Sequence, residues 1–141
     1  MQREDIKNIL PHREPMLLLD DVEINGNTAL GSYTIRGDEY FLRGHYPGMP
    51  LVPGVIQCEI MAQAGAVLVL SMDGNQGKTP LFGGMDKVRF RKQVKPGDKF
   101  LVKCTITRMI GDVGFGEAEG YVDGELAASA HLSFILKKGA N

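Results

Sequence analysis

The sequence predicts an α+β fold in which one curved antiparallel β-sheet wraps around one long central α-helix. Residues 55–72 contain no proline and one glycine and are apolar on nearly every side, and a helix of that kind belongs inside a fold. Residues from 87 onward alternate apolar and polar side chains between tight turn signals, the pattern of half-buried antiparallel strands. Two shorter strand-like pieces precede the helix. Nothing repeats internally and no linker divides the 141 residues, which are read as a single domain, 1–141.

In chain order, Ile6, Ile9 and Leu10 fall at helical spacing and predict a short amphipathic helix over 3–10, stopped by Pro11. Met16 to Leu19 is a brief apolar run leading into Asp20-Asp21. Residues 22–35 read as strand pieces broken at Asn25-Gly26-Asn27, a turn. The long helix follows, about 27 Å at 1.5 Å per residue, and Asp73-Gly74-Asn75-Gln76-Gly77 ends it. Val88, Phe90 and Val94 then interleave with Lys87, Arg89 and Arg91 up to the turn Pro96-Gly97-Asp98. Residues 99–109 are rich in β-branched side chains. A further strand follows Gly114, and Asp123-Gly124 signals the hairpin into 125–136.

Composition excludes several classes. The net charge of −1 offers no general attraction to nucleic acid or an anionic membrane. The N-terminus MQREDIKNIL lacks the apolar core of a secretory signal, and the polar residues Gln57, Glu59, Gln63 and Ser71 argue against 55–72 spanning a membrane. Cys58 and Cys104 lie 46 apart without metal-ligand spacing and read as reduced core thiols of a cytoplasmic protein. His12, in an N-terminal loop, and His131, in the last strand, read as ordinary residues, and the three histidines make no zinc site. GDVGFGEAEG, 111–120, departs from the dinucleotide fingerprint at Glu119 and reads as turn and bulge residues.

The chemistry concentrates in GHYPGMPLVPGVIQCE, 44–59. Pro47, Pro50 and Pro53 fix φ and remove three amide donors, so 46–53 is a stiff extended link that spans up to about 25 Å. Gly54 brings a bare amide to the positive end of the helix, either as part of a rigid loop and cap or as a donor to a carbonyl oxygen gaining charge. Glu59, flanked by Cys58, Ile60 and Met61, is costly to bury unpaired. It reaches a solvent-lined cleft, loses its charge for part of the time, or serves as a structural acid anchored by Gln63 four residues on. His45 adds a base that titrates near neutral pH. Together His45, Glu59 and the Gly54 amide could remove a proton beside a carbonyl, hold the resulting enolate and protonate a leaving group.

HYPGMPLVPGVIQCEIMAQAG closely resembles the signature of the (3R)-hydroxyacyl-[acyl-carrier-protein] dehydratases of type II fatty acid synthesis, the FabZ branch of the hot-dog fold superfamily. LPHREPMLLLDDV (10–22) and GMDKVRFRKQVKPGD (84–98) match the same family in the same order, so the resemblance runs from about Ile6 to Leu136. It departs at Tyr46, where phenylalanine is usual, and at Gln93, often proline. Leu81 stands at or beside a position where some relatives carry an aromatic gate, with Phe82 next to it.

The resemblance implies a hot-dog fold, a homodimer with a continuous sheet across the interface, and usually three dimers in a homohexamer. It implies His45 and Glu59 as catalytic residues, drawn from opposite subunits, with Gly54 polarising the thioester carbonyl. The reaction it implies is loss of water from a (3R)-3-hydroxyacyl thioester on acyl carrier protein, giving the trans-2-enoyl thioester, with no metal and no organic cofactor. Glutamate at 59 and the short chain favour the plain dehydratase over the related dehydratase/isomerase. A hot-dog thioesterase, an (R)-specific enoyl-CoA hydratase and a catalytically dead carrier-binding module are the alternatives.

Val55, Gln63 and Phe82 join Gly54 as candidate substrate-binding residues, and Ile60, Ala64 and Val67, with Met85 and Phe90, as candidate walls of an acyl tunnel. Lys87, Arg89 and Arg91 share a strand face on simple alternation and are either a scattered exposed charge or a docking surface for the acidic carrier protein.

Overall fold

The computed structural model describes residues 1–43, 48 and 50–138. The apolar segment forms α2, Gly54–Leu70, entered from Pro53, whose carbonyl accepts the first helical bonds from the amides of Ile56 and Gln57. Thirteen of its seventeen residues are buried. Ile60, Met61, Val67, Val69 and Leu70 sit in the core, and each such side chain contributes about 1.5–3 kcal/mol relative to exposure. By length and apolarity α2 would pass for a membrane span, but it is mostly buried inside the protein.

Six strands wrap it: β1 (Asp21–Asn25), β2 (Thr28–Thr34), β3 (Thr79–Phe90), β4 (Lys99–Ile110), β5 (Val113–Val122) and β6 (Glu125–Lys137). Their order is β1-β2-β4-β5-β6-β3, every neighbouring pair antiparallel. The Asn25-Gly26 and Asp123-Gly124 turns fall where the sequence puts them, with Gly26, Asp123 and Gly124 at positive φ. α2 approaches the sheet closely at Gly65, where a Cβ would stand 2.7 Å from Cys104 Sγ and 3.0 Å from Phe134 Cζ. Only glycine fits there without repacking. Cys58 and Cys104 are buried and free; desolvation raises both thiols, Cys104 to about 12.

Three expectations are corrected. The N-terminal helix α1, Arg3–Lys7, is shorter than 3–10, because Asn8 caps it and Ile9 and Leu10 continue only as a turn on Ile6. β3 begins at Thr79, well before the alternation that starts at residue 87 in the sequence. It is an edge strand, where Pro80 needs no amide donor. β3 also stops at Phe90 and carries a bulge between Asp86 and Arg89, with Lys87 at φ 51°, so simple alternation fails. Lys87 opens beside Lys103, Glu117 and Glu119, whereas Arg91 lies beyond the strand end near Gly54. The three cations do not form one row.

Candidate active site

Glu59 lies in the second turn of α2, its side chain 21% exposed. It borders a cavity of about 160 Å³ lined by His12, Ala62, Gln63 and Ala66 on one side and by Pro80, Leu81, Phe82 and Phe134 on the other. Residues 59, 62, 63 and 66 recur at helical spacing, so one stripe of α2 floors the cavity. That stripe is not the one anticipated. Ile60, Ala64 and Val67 are fully buried in the core, because the helix turns them toward the sheet. Phe82 is held as a wall: it pairs with Phe134 across the β3–β6 ladder, and their rings stack with centroids 6.4 Å apart.

Gln63 accounts for the position of Glu59. Its Oε1 accepts from the Leu18 amide at 2.8 Å, and its Nε2 donates to Met16 O and to Glu59 Oε2, each at 2.7 Å. The amide therefore staples α2 to the loop before β1 and aims the carboxyl. Both amide hydrogens of Gln63 are engaged, and the residue lines the cavity beside Glu59. The same loop is braced by Arg13, whose guanidinium donates to the carbonyls of Lys7, Leu10 and His12, and it delivers His12 to 3.5 Å from Glu59 Oε2. Sequence reading passed over His12, and the signal that leads to it is Gln63, a buried amide that must find partners outside its own helix.

A second cavity opens at the N-terminus of α2, lined by Leu51, Val52, Gly54, Val55, Gln57 and residues 90–94. The helix's own bonds begin at Ile56, so the amides of Gly54 and Val55 precede them at its positive end. Phe90 lies against Gly54 so closely that a Cβ there would stand 2.6 Å from its Cζ. Gly54 and Glu59 are about 7.5 Å apart along the helix axis and serve different cavities of one chain. His45 lies outside the described residues, as do Tyr46 and Pro47. Among the described residues, no three His, Cys, Asp or Glu side chains group as metal ligands.

Residues 10–131 match the family model of the FabA-like domain. The 3-hydroxyacyl-[acyl-carrier-protein] dehydratase FabZ of Natranaerobius thermophilus is 46% identical over 134 residues, 94% of each chain. The chain belongs to the FabZ family of FabA-like proteins. The FabZ of Oenococcus oeni is 44% identical over 97% of this chain and all of its own. Among solved structures, the dehydratase heterocomplex ApeI:P of Xenorhabdus doucetiae shares the fold with a TM-score of 0.80 at 22% identity, covering 94% of this chain and 91% of that one. An uncharacterized protein of Pyrococcus horikoshii does so at 0.69 and 20% identity, covering 92% of this chain and 91% of that one. The family match over residues 10–131 accompanies the hot-dog arrangement of one helix inside an antiparallel sheet.

Proposed function

We propose that this FabZ-family chain removes water from a (3R)-3-hydroxyacyl thioester carried on acyl carrier protein, yielding the trans-2-enoyl thioester of fatty acid synthesis. The observation that carries this reading is one carboxyl, Glu59, held with His12 and Gln63 at the edge of a cavity whose remaining walls, Ala62, Ala66, Pro80, Leu81, Phe82 and Phe134, are apolar. That combination suits an acid acting on the polar head of a substrate with an apolar tail. In the proposed step His45 takes the C2 proton while Glu59 gives a proton to the C3 hydroxyl, which leaves as water. The electron pair of the C2–H bond becomes the C2=C3 bond. Transient charge on the thioester oxygen is met by the Gly54 amide, with Val55 beside it. Proton exchange with solvent then resets both side chains.

The active unit proposed is a homodimer joined along β3. This strand is twelve residues long, lies at the sheet edge, and exposes Leu81, Phe82, Met85 and Phe90. A long apolar edge of that kind calls for a partner strand. The separation of the Gly54 and Glu59 cavities supports a site assembled from two chains, with His45 and Gly54 of one facing Glu59 of the other. Three such dimers forming a hexamer, and residence in the cytoplasm, belong to the same reading.

Incubation with a short trans-2-enoyl thioester tests the function. A dehydratase hydrates it reversibly, seen as loss of enoyl absorbance without thiol release. Free thiol appearing with the thioester bond cleaved would identify a thioesterase, and neither change would leave a binding module.

The carrier protein is the proposed partner. Arg91, bordering the cavity at Gly54, and Arg89, opposite Ser129 on β3, are the cations best placed to receive it; Lys87, set among Glu117 and Glu119, is less so. Charge reversal at Arg89 and Arg91 together should raise KM for carrier-bound substrate several-fold and spare a coenzyme A thioester. Equal losses on both substrates would remove the docking role.

A further inference from the structure

The loop His12 stands against the same oxygen of Glu59 that Gln63 holds. Gln63 Nε2 donates to Oε2 at 2.7 Å, and His12 Nε2 lies 3.5 Å from that atom. The second distance is a few tenths of an ångström longer than a good hydrogen bond, and catalytic contacts commonly tighten when substrate enters. Oε1 makes no hydrogen bond to a described residue. The ring is mostly buried, and its Nδ1 has neither solvent nor a hydrogen-bond partner among the described residues. A proton on Nδ1 would be buried without an acceptor among the described residues, whereas Nε2 is the ring nitrogen that approaches a carboxyl oxygen. The site therefore favours the tautomer with its proton on Nε2.

From this arrangement we infer that His12 is a positioning residue that decides which oxygen of Glu59 carries the catalytic proton. With Gln63 Nε2 donating to Oε2 and His12 Nε2 next to the same oxygen, a proton on Oε2 would face these nitrogens, so the acidic proton resides on Oε1. When Oε1–H gives its proton to the departing hydroxyl, water forms and a full carboxylate charge develops on Glu59. The two donors on Oε2 are already in place to meet that charge. A donor that strengthens as charge develops stabilises the transition state more than the bound substrate, so its loss falls on kcat and leaves KM nearly unchanged.

This inference rests on the dehydratase reading, and the test separates the two. Wild-type protein, His12→Asn and His12→Gln are compared in the dehydration of a short (3R)-3-hydroxyacyl thioester, followed as gain of enoyl absorbance, with thermal unfolding recorded for each. Glutamine places its amide nitrogen near the position of Nε2, whereas asparagine ends near Nδ1 and cannot reach Oε2. His12→Ala is a second donor-free control. His12→Asn and His12→Ala should lower kcat about tenfold, less than the roughly hundredfold or more lost with a fully aligned donor to a developing charge, with KM within twofold. His12→Gln should restore kcat to within threefold of wild type. An active wild type with all three variants unchanged, or with glutamine and asparagine equally impaired, overturns the role of His12 and leaves the dehydratase reading standing. An inactive wild type would remove both.

Discussion

Replacing Glu59 with glutamine is expected to lower kcat for dehydration of a short (3R)-3-hydroxyacyl thioester by about a thousandfold, within the range that general acid–base groups supply. That loss corresponds to about 4 kcal/mol of barrier. The substitution keeps the length and volume of the side chain, and the Gln63 Nε2 that donates to Oε2 can donate equally to an amide oxygen. What disappears is the proton that Oε1 would deliver, since an amide N–H donates a hydrogen bond but does not ionise at neutral pH. Thermal unfolding should therefore move little while turnover collapses. His45→Ala should cost a similar factor, and the double variant should not multiply the two, because proton removal and proton delivery act as a unit on one substrate. Turnover near the wild-type rate in Glu59→Gln would move the acid elsewhere.

Gln63→Met should produce the largest loss of stability among conservative changes near the site. Methionine has nearly the same length and volume, so the comparison isolates the hydrogen bonds. The Leu18 amide, buried against the helix, loses its acceptor, and Met16 O and Glu59 Oε2 lose a donor. A buried group left unpaired costs roughly 1–3 kcal/mol. The Leu18 amide should dominate, because Met16 O and the carboxyl are only partly buried and find water. The net expectation is about 2–3 kcal/mol, partly offset by methionine's better transfer to an apolar site. For a chain of this length that is a fall in Tm of roughly 7–10 °C. Turnover should drop as well, because the loop over the helix and the carboxyl both lose their anchor. Unchanged Tm would mean that the loop is held by packing of Leu17, Leu18 and Leu19 alone.

The parts of this fold that were legible in the sequence are those whose signal is local. α2 announced itself because nearly every residue from Val55 to Leu70 is apolar, and only a helix in the middle of a fold tolerates that. The β1–β2 and β5–β6 hairpins followed from Asn25-Gly26 and Asp123-Gly124, whose backbone preferences are set within two residues. The errors arose where partners distant in the chain decide. Thr79-Pro80 becomes a strand because Leu136 and Lys137 lie alongside, and the bulge at Lys87 moves charges off the expected face. The stripe of α2 that meets the cavity depends on which side the sheet covers, and a helix apolar all round does not disclose this.

The site itself was half legible. The oddity of Glu59 in an apolar helix and of Gly54 at its start could be seen directly, with His45 beside them as a base that lies outside the described residues. His12 could not be found by spacing. It reaches Glu59 only because Gln63 captures backbone atoms 45 and 47 residues away. The better question to ask of the sequence was what a glutamine is doing at position 63, since a fully buried amide has to be answered from somewhere.

The two cavities on α2 carry a consequence of their own. If each reaction centre is completed by a neighbouring molecule, a solitary copy is inert however well it folds, and dilution extinguishes activity in step with dissociation. Selection on the outer edge of β3 is then selection for catalysis, and a change there that weakens association silences two centres at one stroke.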